Sequence, residues 1–192
     1  MTSGTDGARV PPLAPEERDQ RQAALVAQAG AELAVYTTLV RNTDVFADLL
    51  PLGQRLLELS TLEPRVRELL ILRVAWRCRA AYVWSHHETI GRAAGVTDDD
   101  LATLAADAAA DADADADDRD ALRAVLLRAA DELVADHRLG DPTWQELAGR
   151  YPTEQVIEIC MLAGQYVMLA GVLNSLGVQL EQGYPAPDWA GS

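Results

Sequence analysis

Between Ile159 and Leu180 the chain carries no charged residue, and this run limits the fold more than any other feature. A stretch of that length could span a bilayer. Gln165, Asn174, Ser175 and Gln179 interrupt it, Glu158 and Glu181 flank it, and no arginine cluster marks a cytoplasmic end. It reads as the buried helix of a soluble bundle, with no membrane partner.

The remaining chain has the same periodicity. Helices are expected at about 15–41, 43–58, 63–78, 80–94, 98–108, 117–138, 142–150 and 153–180, with breaks at Pro51, Gly53, Pro64, Gly95, Gly140, Pro142 and Pro152. Thr97 followed by Asp98, Asp99 and Asp100 is a helix start, because the hydroxyl accepts from free amides and the acids complement the positive helix end. No stretch alternates with a two-residue period, so the fold class is all-α, a single helical domain over 14–182. Residues 1–13 read as a mobile N-terminal segment and 183–192 as a tail. The run "DAAADADADADD" at 107–118 reads as a solvated acidic connector, since its aspartates place charge all around any helix it forms.

Charge narrows the partners. The chain has 16 basic and 30 acidic residues, a formal net charge of −14, which repels nucleic acid and anionic membranes. Every basic residue is arginine, so no lysine exists for a Schiff base or a P-loop. Cys78 and Cys160 lie far apart in apolar runs, which suits thiols in a reducing cytoplasm better than a disulfide framework. The N-terminal stretch carries acids and no apolar segment, unlike a signal peptide.

The chemistry concentrates in "RAAYVWSHHETIGRAAG" at 79–95, which holds two of the three histidines. On a helical wheel, at roughly 100° per residue, Ala80, Val83, His87, Ile90 and Ala94 share one face, and His86 stands about 100° away beside Tyr82 and Thr89. His87 therefore points inward. The preceding stretch, "EPRVRELLILRVAWRC", is apolar on nearly all sides and so central, yet it carries Glu68 on the face of Leu72 and Ala75. A buried carboxylate needs a partner, and a Glu68–His87 pair across the hairpin is either an acid–base site or a structural pair that fixes register. Arg73 is a buried salt-bridge partner or a carboxylate-binding fork. Gln165 either lines a pocket or bonds the backbone, and His137 reads as a helix C-terminal cation. "HHE" lacks the spacing that puts two ligands on one helix face, so no metal site is expected.

The run "RELLILRVAWRCRAAYVWSHHETIGRAAGVTDDDL", with "MLAGQYVMLAGVLNSLGVQL" near the end, resembles the carboxymuconolactone decarboxylase and alkylhydroperoxidase D-like superfamily. In the redox branch a glutamate precedes a CxxC pair by twelve residues, and a histidine follows the second cysteine by four. Laid on this chain, the glutamate falls on Glu68, the cysteines on Ala80 and Val83, and the histidine on His87. The acid and the histidine match, and both thiols are absent. Thiol redox chemistry needs an attacking thiolate and a resolving thiol, which alanine and valine cannot supply.

The resemblance thus implies the decarboxylase-like branch, which needs no cofactor and transfers protons on a small carboxylated lactone or related oxygenated acid. His87 would donate or accept the proton and Glu68 would orient it. Tyr82, Trp84 and Val83 would shape the pocket, and Arg73 or Arg79 would hold the substrate carboxylate. The resemblance also implies a homo-oligomer, a trimer or hexamer. Ala163, Gly164, Ala170 and Gly171 recur seven apart and allow close helix approach, inside the subunit or between subunits. The alternatives are a non-catalytic helical oligomer that binds or scaffolds, and a residual thiol peroxidase using Cys78.

Overall fold

The computed structural model describes residues 7–106 and 117–191, and these residues are helical with no strand among them. The helices are α1 (Gln20–Gln28), α2 (Ala34–Leu39), α3 (Thr43–Leu57), α4 (Pro64–Arg77), α5 (Ala81–Ala93), α6 (Asp98–Leu104), α7 (Asp118–Ala135), α8 (Asp141–Arg150) and α9 (Thr153–Leu176). α4 is central, as its all-round apolarity requires: Leu69 to Trp76 are buried without interruption, and α5, α6, α7 and α9 pack around it.

A turn at Cys78–Ala80 folds α5 back along α4, with Arg79 in the left-handed region at φ 51°. The two helices approach closely because of Gly91. A Cβ there would stand 3.2 Å from Leu72 Cδ1, 3.3 Å from Val96 Cγ2 and 3.4 Å from Glu68 Cβ, so even alanine would need these side chains to give by a few tenths of an ångström.

Two apolar cores result. The larger is built on α4, α5, α7 and α9, and a smaller one gathers Leu13, Val26, Val40, Phe46 and Leu50 from the N-terminal segment and α1–α3. α9 is long and apolar enough to cross a membrane by length and composition. It packs on α3, α4, α7 and α8, burying Val156, Ile159, Leu162, Tyr166, Ala170 and Leu173, while Ile157, Met161 and Met168 on its other side are exposed.

Several boundaries differ from the sequence reading. The helix expected at 15–41 is a short turn at Pro15–Glu17 followed by α1 and α2, because the chain turns at Gly30, φ 80°, where a helix cannot continue. α3 runs unbroken through Pro51: the lost amide bond costs about 3 kcal/mol, offset by burial of Phe46, Leu50 and Leu56 on the same helix. α9 ends at Leu176, four residues early, capped by Gly177 at φ 65°.

The described residues at both ends are hydrogen-bonded to or packed on the helices. Arg9 and Val10 donate to Leu176 O, and Leu13 is buried and donates to Thr37 O. In the C-terminal segment Ser85 Oγ donates to Pro185 O at 2.6 Å, and Trp189 packs edge-on against Trp76. Of the acidic connector, Asp117 caps α7 and Asp118 opens it, while 107–116 lies outside the described residues.

Candidate active site

Glu68 and His87 meet. His87 Nδ1 lies 2.7 Å from Glu68 Oε2, with the carboxylate fully buried and the imidazole side chain 9% exposed. The other ring nitrogen is held too: Tyr166 on α9 places its hydroxyl 3.0 Å from His87 Nε2, edge-on to the imidazole. Burial, and then the charge of Glu68, push the Tyr166 phenol well above its ordinary value, so it stays protonated and is able to donate to Nε2 of a neutral ring. In that tautomer the imidazole proton is on Nδ1 and points at Glu68. Carboxylate, imidazole and phenol form one relay. Arg67 Nε lies 3.4 Å from the other Glu68 oxygen.

A second histidine pair stands beside the first. His86 Nε2 lies 2.8 Å from Glu181 Oε2, and Glu181 Oε1 accepts from the Tyr82 hydroxyl at 2.7 Å and from the Ala34 amide at 2.6 Å. Burial opposes the charge on Glu181, but the Ala34 amide, the Tyr82 hydroxyl and His86 together hold its carboxyl below the ordinary range. Tyr184 stacks on the His86 ring at 3.9 Å. The wheel turned only His87 inward; His86 is buried as well because the C-terminal segment folds over its side of α5.

Both histidines border a cavity of about 170 Å³ at the seam between the two cores. Leu33 just ahead of α2, Phe46, Leu50 and Leu57 of α3, and Leu169 and Leu173 of α9 line it. Tyr82, Val83, Gln165 and Tyr166 also face it. Ile90 and Glu58 line it and are solvent-exposed, which places the mouth beside them.

Other residues singled out in the sequence lie elsewhere. Arg73 is fully buried in a two-pronged pair with Asp131 at 2.7 and 2.6 Å, and it also donates to Leu104 O and Ala106 O. Arg79 stacks over Trp76, 4.5 Å from the ring centroid, and Trp84 packs against both Trp76 and Trp189. None of these three lines the cavity, so the expected arginine for a substrate carboxylate is not supplied there. Cys78 and Cys160 are free thiols outside the cavity lining, and burial pushes both above the ordinary thiol value. His137 sits exposed past the end of α7 at φ 58°.

The sequence reading missed Tyr166, Glu181 and Tyr184. Tyr166 stands in the uncharged run in helical phase with Ile159, Leu162, Ala170 and Leu173, and that apolar face was the available signal.

The fold is that of the alkylhydroperoxidase AhpD core. The crystal structure of an uncharacterized peroxidase-related protein of that core from Ralstonia eutropha JMP134 superposes with a TM-score of 0.70 at 18% identity, covering 94% of this chain and 96% of that one. An uncharacterized peroxidase-related protein from Silicibacter sp. TM1040 gives 0.71 at 15% identity, covering 96% and 97%. At these identities the likeness is one of fold. Residues 43–126, which carry both Glu68 and His87, match the carboxymuconolactone decarboxylase family model. The segment match and the shared fold both agree with the resemblance read from the sequence. No curated protein matches the chain.

Proposed function

We propose that this chain is a cofactor-free proton-transfer enzyme, of isomerase or elimination-lyase type, acting on a small oxygenated molecule of the lactone kind. The observation that carries this reading is the Glu68–His87–Tyr166 relay, whose imidazole and phenol border an apolar cavity. A proton leaving a carbon beside a carbonyl passes to the Tyr166 oxygen as the Tyr166 proton passes to His87 Nε2. The imidazolium formed is balanced by Glu68, and reversal of the same path returns the proton to product. Excluding water strengthens that balance.

The names of the structural neighbours favour a peroxidase instead, but a thiol mechanism draws no support from Cys78 or Cys160, which lie outside the cavity. A non-catalytic binding role predicts no proton transfer at all. Tyr166→Phe tests the proposal: it keeps the ring and the packing, and it should slow proton transfer on small lactones by about 10²-fold with little change in melting temperature. Equal rates in the variant and the wild-type chain would refute it.

The proposal includes a homo-oligomer, trimer or hexamer, and a cytoplasmic location. Ile157, Met161 and Met168 are exposed on α9, and Cβ positions at Gly164 and Gly171 face open space, which supports the first. Two free cysteines support the second.

A further inference from the structure

We infer that the cavity selects a neutral, mainly apolar molecule of about single-ring size that donates a hydrogen bond to Gln165 Oε1, and that it discriminates against carboxylate anions. The inference rests on the cavity being the substrate site, as proposed above, and it names the class of molecule that site takes.

Charge comes first. Among the residues lining the cavity there is no arginine. The only groups there that can become cationic are the two imidazoles, and each already faces a carboxylate, His87 at 2.7 Å from Glu68 and His86 at 2.8 Å from Glu181. Even with both rings protonated, their charge is matched. Glu58 at the mouth adds a negative charge on the way in. An anion entering this space loses its hydration and meets no uncompensated positive charge.

Hydrogen bonding comes second. Most polar groups of the lining are engaged within the protein: Tyr166 with His87, Tyr82 and His86 with Glu181, and Gln54 Nε2 with Gln28 O. Gln165 differs. Its side chain is 7% exposed, it lines the cavity, and its Oε1 is buried with no partner in the protein. A buried acceptor favours a ligand that brings an O–H or N–H and disfavours an isostere that lacks one. Gln165 lies next to Tyr166, so a hydroxyl placed on its carboxamide also sets the ring beside the relay.

Size comes third. A cavity of about 170 Å³ is close to the roughly 150 Å³ that holds a single benzene ring.

Titration calorimetry at neutral pH with benzyl alcohol, anisole and benzoate decides the matter. These share one ring and differ in donor and charge. The wild-type chain should bind benzyl alcohol about three- to tenfold more tightly than anisole, and benzoate more weakly than either. In Gln165→Leu, checked for folding by circular dichroism, the preference for the alcohol over the ether should vanish. Benzoate binding as tightly as benzyl alcohol, no saturable binding of benzyl alcohol, or an unchanged preference in Gln165→Leu would each overturn the inference. The wild-type ranking decides the charge half even if the variant does not fold. Failure of the proton-transfer reading is separate: it shows as absent turnover while the binding order holds.

Discussion

His87 is held at both ring nitrogens, and that governs what its loss does. In His87→Ala, Glu68 stays fully buried with its imidazole partner gone, leaving Arg67 at 3.4 Å from one oxygen. Removing one member of a buried pair costs about 3–5 kcal/mol. His87→Gln keeps an amide donor for Glu68 and should cost much less. Urea unfolding of the two variants checks this, and an alanine variant as stable as the glutamine variant would show that Glu68 does not depend on His87. Glu68 and His87 were legible from the sequence because each is a titratable residue on the apolar face of its own helix. Tyr166 and Glu181 were not, because a wheel fixes a residue's face on one helix and says nothing of the register between α5 and a segment far along the chain. Arg73 posed a choice between salt bridge and substrate fork that only the position of Asp131 resolves.

Among the elements, α6 is tied to α4 and α7 through Asp100. Asp100 is buried, accepts from the Thr97 amide at 2.9 Å, and pairs with Arg65 on α4 at 2.7 Å and Arg123 on α7 at 3.0 Å. Burial works against its charge, but the Thr97 amide and the two guanidinium groups outweigh it and hold the carboxyl at about 2. The folded state therefore binds this proton less readily than the unfolded chain. Its contribution, about 2 kcal/mol, is complete above the ordinary carboxylate value near 4 and is lost as pH falls toward 2. Stability measured between pH 5 and pH 2 should fall less steeply in Asp100→Asn than in wild type, and parallel curves would contradict this. The start of α6 was readable from "TDDD", whereas the two arginines that receive Asp100 were not, since they come from other helices. The break between α1 and α2 escaped notice because short helices with apolar residues at helical spacing look like one long helix when read in sequence.

At the scale of the molecule, the seven-residue recurrence in α9 divides by face. Ala163 and Ala170 are buried against the bundle, while Gly164 and Gly171 are exposed with open space where a Cβ would stand. Gly171→Leu is then free of clashes within one chain and removes a glycine from a helix interior, worth about 0.5–1 kcal/mol to the monomer. Its cost should fall on assembly alone. Light scattering should show a wild-type oligomer and a smaller Gly171→Leu species whose monomer is no less stable; an unchanged oligomer would place the interface elsewhere. The all-α class was legible from periodicity throughout, but the cavity was not, since it lies where the core of α1–α3 meets the core of α4–α9 and no single segment encodes that seam. Whether the seam does chemistry is tested most directly by deuterium uptake in D2O at the carbon beside the carbonyl of α-hydroxy-γ-butyrolactone, a neutral ring with a hydroxyl donor, followed by proton NMR. The wild-type chain should exchange this position faster than buffer, Tyr166→Phe about 10²-fold more slowly than wild type, and His87→Gln at the buffer rate. Exchange by the wild-type chain at the buffer rate, or by Tyr166→Phe at the wild-type rate, would leave the relay of Glu68, His87 and Tyr166 without a catalytic role.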